Sequence, residues 1–163
     1  MENTYHVGMA DLLVVSAPAK LITLGLGSCI GLVLFDSTAK VAGMAHIMLP
    51  DSHGSKGTEK IGKFTDTAVP ALLDEMIKKG ASKARIKAKI AGGAQMFALP
   101  GTPTDFLAVG SRNAKETTAI LAKLGIPLVA SDTGGNKGRT VEFSTTTWML
   151  SIKTLGKKEP ADI

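Results

Sequence analysis

The sequence predicts an α/β (α+β) fold, a single layered sandwich with hairpin-rich mixed sheets and two main helices. Three observations carry this prediction. Short apolar runs rich in strand formers recur along the chain, and several follow one another with only a turn between them, as hairpins do. Only two stretches carry apolar residues at helical spacing. The strands do not alternate with helices, as a doubly wound sheet requires.

Taken in order, Asp11 to Val15 and Leu21 to Leu24 read as short strands parted by the turn-forming Ser16, Ala17 and Pro18. Ile30 to Phe35 and Val41 to Leu49 are continuous apolar runs, and the second stops at Pro50 before the polar segment DSHGSKGTEK. From Asp66 to Lys79, Ala68, Val69, Leu72, Leu73, Met76 and Ile77 form a helical stripe, closed by basic residues and Gly80. Pro70 must fall in the first turn of that helix or kink it. Ile86 to Ile90 alternates apolar residues with lysine, the pattern of a strand with one solvated face, and runs into a GGAQMF turn. Ser111 is placed to cap a second helix from Arg112 to Leu124, ended by Gly125. Ile126 to Ala130, Thr140 to Thr147 and Met149 to Leu155 are the closing strands, the first two joined by the glycine-rich SDTGGNKGR.

A chain of 163 residues, 44% hydrophobic and 20% charged, is sized for one domain with a packed core. The expected unit spans residues 1–163, with a core over about 7–155 and a C-terminal tail at 156–163. One cysteine excludes an internal disulfide, and three scattered histidines give no zinc-ligand spacing, so neither a metal nor a cofactor is implied. The reducing cytoplasm suits such a chain. The N-terminus lacks the basic region and apolar run of a secretory signal. Polar and glycine interruptions between Leu21 and Phe35 argue against a membrane-inserted segment. The net charge of +5 raises nucleic acid as a partner, but the lysines are scattered and only one Trp, one Tyr and five Phe are available to stack on bases. Solubility or an acidic protein partner is the better reading of that charge.

The lone cysteine lies in LITLGLGSCIGLVLFD, directly behind a glycine-rich turn. A cysteine that only fills space needs no such punctuation, whereas a nucleophile needs a tight turn that brings backbone close to a substrate. If the connection DSTAK is a hairpin turn centred between Ser37 and Thr38, Cys29 pairs directly with His46 on the neighbouring strand. Such pairs stand about 4.5–5.5 Å apart at Cβ, close enough for a thiol and an imidazole to share a proton. Thr23, on the preceding strand, offers a hydroxyl to orient the imidazole, and Gly27 and Ser28 form the turn whose backbone N–H groups face a developing oxyanion. Taken singly, each residue has a plainer reading: a core cysteine, a core histidine, a β-branched strand former. Only their conjunction favours chemistry. His6 and His53 read as solvated, and the Gly92–Gly93 and Gly134–Gly135 pairs read as tight turns, lacking P-loop or dinucleotide spacing.

TLGLGSCIGL and GMAHIMLPDS resemble the matching segments of the CheD family of chemoreceptor glutamine deamidases. The likeness continues in order through GKFTDTAVPALLDEM, KIAGGAQMF, VGSRNAKET and SDTGGNKGRTVEF, covering about Val7 to Ser151. One departure falls at LPGTPTDFLAVGSRN, where the family often has a shorter or variable insertion. The resemblance implies a three-layer sandwich, related in its Cys-His site to the deamidating cytotoxic necrotizing factor toxins. It further implies a cytoplasmic enzyme that converts glutamine side chains of chemoreceptor cytoplasmic helices to glutamate, with Cys29 as nucleophile, His46 as base and Thr23 as third member. The chemotaxis phosphatase CheC is the partner it implies. Two other readings stand beside the deamidase: a regulatory binding module for CheC in which catalysis is secondary, and a redox sensor built on one thiol.

Overall fold

The computed structural model describes residues 2–96 and 108–163. The first nine residues of LPGTPTDFLAVGSRN and the end of GGAQMF lie outside them. Ten strands are seen among the described residues: β1 (Asn3–His6), β2 (Leu12–Ser16), β3 (Ala19–Leu26), β4 (Ile30–Asp36), β5 (Val41–Ile47), β6 (Lys87–Gly92), β7 (Leu128–Thr133), β8 (Arg139–Ser144), β9 (Leu150–Thr154) and β10 (Ala161–Asp162). The helices among the described residues are α1 (Thr65–Lys78) and α2 (Val109–Lys123). One mixed sheet has the order β1-β3-β8-β9-β10 and the other β2-β5-β4-β6-β7. Both helices pack on the outer face of the second sheet, so the layers run sheet, sheet, helices, the α+β sandwich the sequence predicts.

This stacking explains why β4 and β5 read as unbroken apolar runs. Every residue in both strands is buried, because each face of their sheet is covered. Ile30, Leu32 and Leu34 of β4, with Val41, Ala45 and Ile47 of β5, meet Val69, Leu72 and Met76 of α1 on the helix side. Val33 and Phe35 of β4, with Ala42 and Met44 of β5, point the other way and meet Leu21, Val141 and Phe143 of the first sheet. Each large apolar side chain so enclosed contributes roughly 1.5–3 kcal/mol relative to exposure. Residue parity therefore decides the environment, and it sends His46 into the space between the sheets.

Five sequence expectations are corrected or sharpened. The β4–β5 turn is centred one residue later than predicted: Asp36 pairs with Val41, and Gly31, not Cys29, lies directly opposite His46. The cause is Asp36, whose Oδ1 accepts hydrogen bonds from the N–H groups of Thr38 and Ala39, building the loop over four residues with Lys40 at φ 59°. Lys89 does not face solvent, because β6 is an inner strand covered on both sides. Its ammonium instead donates to the carbonyls of Trp148 and Ile163 at 2.8 and 2.7 Å and lies over the Phe35 ring. Ser111 is no cap: α2 begins at Val109 after Ala108. The expected C-terminal tail ends in β10, which pairs with β9, and Ile163 exchanges backbone hydrogen bonds with Leu150. Pro70 sits past the first turn of α1, where it removes one donor from the helix.

Asp36 ties this hairpin to the helical layer as well. Its other oxygen accepts from Ser82 N–H at 2.9 Å and pairs with Arg85. Burial alone would raise its pKa, but the Ser82 and Ala39 amides and the Arg85 guanidinium outweigh that and hold it below the usual value. Asp36→Ala should therefore lower stability by roughly 2–3 kcal/mol at neutral pH, read from thermal or denaturant melts. A carboxyl whose folded pKa is depressed stabilises fully above its unfolded value of ~3.9 and ceases to do so as pH falls through the folded value, so the gap between wild type and variant should close in acid.

Candidate active site

His46 is 1% exposed and Thr23 likewise, and they meet across the gap between the two sheets. The Thr23 hydroxyl donates to the Val7 carbonyl at 2.6 Å, and Thr23 Oγ1 lies 2.7 Å from His46 Nδ1. A hydroxyl has one proton, and this one is spent on Val7. Nδ1 must then carry the hydrogen of the second bond, so Nε2 presents its lone pair. Nε2 is buried and has no hydrogen-bond partner among the described residues. The backbone of His46 is fixed from the other side, its N–H donating to Asp11 O and its carbonyl accepting from Ala10 N–H.

Cys29 sits in the bend between β3 and β4, half-buried and packed against the same inter-sheet cluster. Gly31 is directly across from His46, so Cys29, two residues earlier, is its diagonal neighbour rather than its direct pair. The register differs from the predicted one by a whole two-residue repeat along β5, and the shared face survives. Gly31 leaves the facing position without a side chain; a Cβ there would stand 3.0 Å from Leu26 Cδ1 and 3.6 Å from Thr23 Cγ2.

The turn that carries the thiol is held by all three of its carbonyls. Gly27 O accepts from Ala94 N–H, Cys29 O from Gly93 N–H, and Ser28 O from the Asn113 carboxamide at 2.8 Å. The N–H groups of Ser28 and Cys29 have no backbone acceptor among the described residues. Gly92, at φ 111°, allows this packing: a Cβ there would be 2.1 Å from Cys29 O. Behind it, Arg139 is 8% exposed and donates to Gly92 O, Gly134 O and Asp132 Oδ1. Neither glycine pair forms the tight turn expected from the sequence: Gly92 ends β6, and Gly93, Gly134 and Gly135 follow in irregular segments, all four at positive φ. They brace the cysteine turn, Gly134 N–H donating to Gly92 O and Gln95 N–H to Gly135 O.

Burial dominates the electrostatics. It pushes the Cys29 thiol up and the His46 imidazolium down, the second effect partly offset by the Asp11 carboxylate. Both groups therefore rest neutral at physiological pH. Such an arrangement suits a thiol that is deprotonated by the imidazole as it attacks, with backbone N–H donors available to an oxyanion.

Thr23, His46, Cys29, Gly27 and Ser28 are thus gathered at one end of the inter-sheet space, while His6 and His53 are exposed and His53 lies 3.2 Å from the Asp51 carboxylate. No cluster of three or more metal-ligating side chains occurs among the described residues. No helix among them is long and apolar enough to cross a membrane. Sequence reasoning missed Asn113 and Arg139. For Asn113 a signal existed: asparagine in the second turn of a helix is a poor helix former, and it occupies an inward position with Gly110, Thr117 and Leu121.

The family model described as CheD chemotactic sensory transduction matches residues 48–154. The probable chemoreceptor glutamine deamidase CheD of Clostridium novyi is 51% identical over 155 residues, covering 95% of each chain. The chemoreceptor glutamine deamidase CheD of Halalkalibacterium halodurans is 48% identical over 162 residues, covering 98% of this chain and 99% of its own. Among solved structures, the Neisseria meningitidis protein NMB0706 matches with a TM-score of 0.48 and 10% identity over 82% of this chain and 64% of its own. A family match over more than half the chain, and near-complete alignment at about half identity, place this chain in the CheD family.

Proposed function

We propose that this chain is a protein-glutamine glutaminase that deamidates selected glutamine side chains of chemoreceptors, with Cys29 as nucleophile, His46 as base and acid, and Thr23 as the residue that orients the imidazole. The observation that carries the reading is the buried, unpartnered His46 Nε2, whose lone pair is dictated by the Thr23 bond to Nδ1 and which faces the same inter-sheet space as the Cys29 turn. The names and extent of the relatives supply the substrate.

Cys29 Sγ attacks the glutamine Cδ while its proton passes to His46 Nε2. The carbonyl electrons move onto oxygen, which receives the N–H groups of the Cys29 turn. Collapse breaks the C–N bond as Nε2 returns the proton to nitrogen, and ammonia leaves. Water then attacks the thioester with Nε2 again taking a proton, and the C–S bond breaks as that proton returns to sulfur. The balance is glutamine plus water to glutamate plus ammonia. A glutamate methyl ester differs only in its leaving group, methanol, and the same steps hydrolyse it. The chain's charge of +5 is compatible with docking on acidic receptor helices, and CheC is the further partner that the family resemblance implies.

Mapping glutamine-to-glutamate conversion in a receptor cytoplasmic fragment by peptide mass spectrometry tests the assignment. Cys29→Ala and His46→Ala should each reduce conversion by at least about 10³-fold. Cys29→Ala should keep the wild-type melt, whereas His46→Ala, which empties a buried position, should still fold but melt lower. Full activity in either variant sinks the triad. A folded, reduced wild type that converts no glutamine shifts the reading to the regulatory module for CheC. Thr23→Val, which keeps the shape and removes the hydroxyl, should lower turnover on the order of 10²-fold, and Thr23→Ser should restore most of it.

The pH profile follows from the two shifts. Neutral His46 is the active form and its pKa lies below the ordinary 6.5, so activity should rise with pH through a value under 6.5 and then stay flat. The thiol lies above its ordinary 9.0, so thiolate absorbance near 240 nm should be absent at neutral pH. A stable thiolate at pH 7, or an acid limb above 6.5, would contradict the neutral resting pair.

A further inference from the structure

We propose that Asn113 is a positioning residue for this reaction, clamping the nucleophile turn to the end of the histidine strand through one carboxamide. The inference rests on the reading of Cys29 and His46 as the reacting pair. Asn113 is fully buried on the inward face of α2, and its Nδ2 donates both hydrogens: one to Ser28 O at 2.8 Å, the other to Met48 O at 3.0 Å. Ser28 immediately precedes the nucleophile, and Met48 lies two residues after His46. One side chain therefore spans the two backbone segments whose relative placement sets the distance from sulfur to Nε2.

Planarity gives the first of these bonds a second effect. The Ser28 carbonyl and the Cys29 N–H belong to one peptide unit and point in opposite directions. Pulling the carbonyl toward α2 aims the N–H away from it, out of the turn, where an oxyanion would be held. The Gly27 and Cys29 carbonyls are tied by backbone amides, and only the middle one depends on a side chain.

The cost of the arrangement indicates that it serves more than stability. Asn113 Oδ1 is buried with no donor among the described residues, and the carboxamide cannot turn over to satisfy it, because both neighbours of Nδ2 are carbonyl oxygens. Thr117, one turn on, is also buried and bonds back to Asn113 O. The inward face of α2 thus places polar groups at core positions beside the cysteine turn and a leucine, Leu121, farther along.

The test uses the full chain with a receptor cytoplasmic fragment, following ammonia release for kcat and KM and a thermal melt for folding. Asn113→Leu, close in size and without donors, should lower kcat about tenfold or more with KM within about twofold of wild type. Asn113→Asp separates positioning from packing. Protonated, its carboxyl still donates one hydrogen bond; ionised, it sets a negative charge against two carbonyl oxygens. Its kcat should fall with rising pH across the range where the wild-type profile is flat. A folded Asn113→Leu with wild-type kcat, or Asn113→Asp with the wild-type pH profile, overturns the inference. So does loss of the melting transition together with activity in both variants at every pH, which marks a structural residue. An active wild type with unaffected variants fails this inference alone, whereas an inactive wild type fails the deamidase reading and this inference with it.

Discussion

The hydrogen bond between Thr23 and His46 joins the two sheets at the proposed active site. Thr23 belongs to the first sheet and His46 to the second, so the pair exists only when the sandwich is closed. Its direction is set by a third party, the Val7 carbonyl, which takes the only proton the hydroxyl has. Val7 in turn is held beside β3 by its N–H bond to Ile22 O, and Asp11 and Ala10 hold the histidine backbone. The N-terminal segment is therefore part of the site without contributing a reacting atom.

Enclosing these groups has an energetic consequence. Removing a thiol and an imidazole from water penalises their charged forms, so the resting state is the neutral pair and, in the proposed reaction, charge appears only during turnover. An environment that cannot reorganise must then be polar in the right places beforehand. Three pinned carbonyls on the cysteine turn, Arg139 braced across Gly92 and Gly134, and the Gly92 contact that admits no Cβ supply that rigidity. The site is built on strand ends and turns held by hydrogen bonds, with the helix layer reaching it through Asn113.

What was legible in the sequence follows from what local pattern encodes. The apolar runs at Ile30–Phe35 and Val41–Leu49 and the stripe from Asp66 to Lys79 mark elements because burial imposes their period. That Cys29 and His46 share a face was legible because parity tolerates an error of two: misplacing the turn centre by one residue replaced a direct pair by a diagonal one and left both on one face. The error arose because the Asp36 side chain builds the turn, and side-chain capping of a loop is invisible to hydropathy. Lys89 misled for a related reason, since its charge is satisfied by carbonyls at Trp148 and Ile163, distant in sequence. Strands β1 and β10 carry exposed polar residues and exist only because a neighbouring strand offers an edge. Asn113 and Arg139 act largely through contacts with backbone atoms: Asn113 leaves one trace, a poor helix former at an inward helix position, and Arg139 leaves none in the hydropathy pattern.

The neutral pair also bears on the rival reading of Cys29 as a redox sensor. Oxidation and disulfide exchange proceed through the thiolate, and sensor cysteines are exposed thiols with depressed pKa values beside cationic groups. Cys29 has the opposite setting: burial raises its pKa, and its charged form gains nothing from a fixed cation. In the proposed reaction a carboxamide carbonyl reaching the thiol brings the oxyanion donors into use at the moment the proton moves, help that a peroxide does not draw on. Under the deamidase reading, the burial that disfavours a free thiolate therefore costs the hydrolytic reaction little. The environment that looks poor for a nucleophile judged by thiolate content alone is suited to one that ionises only when its substrate is bound.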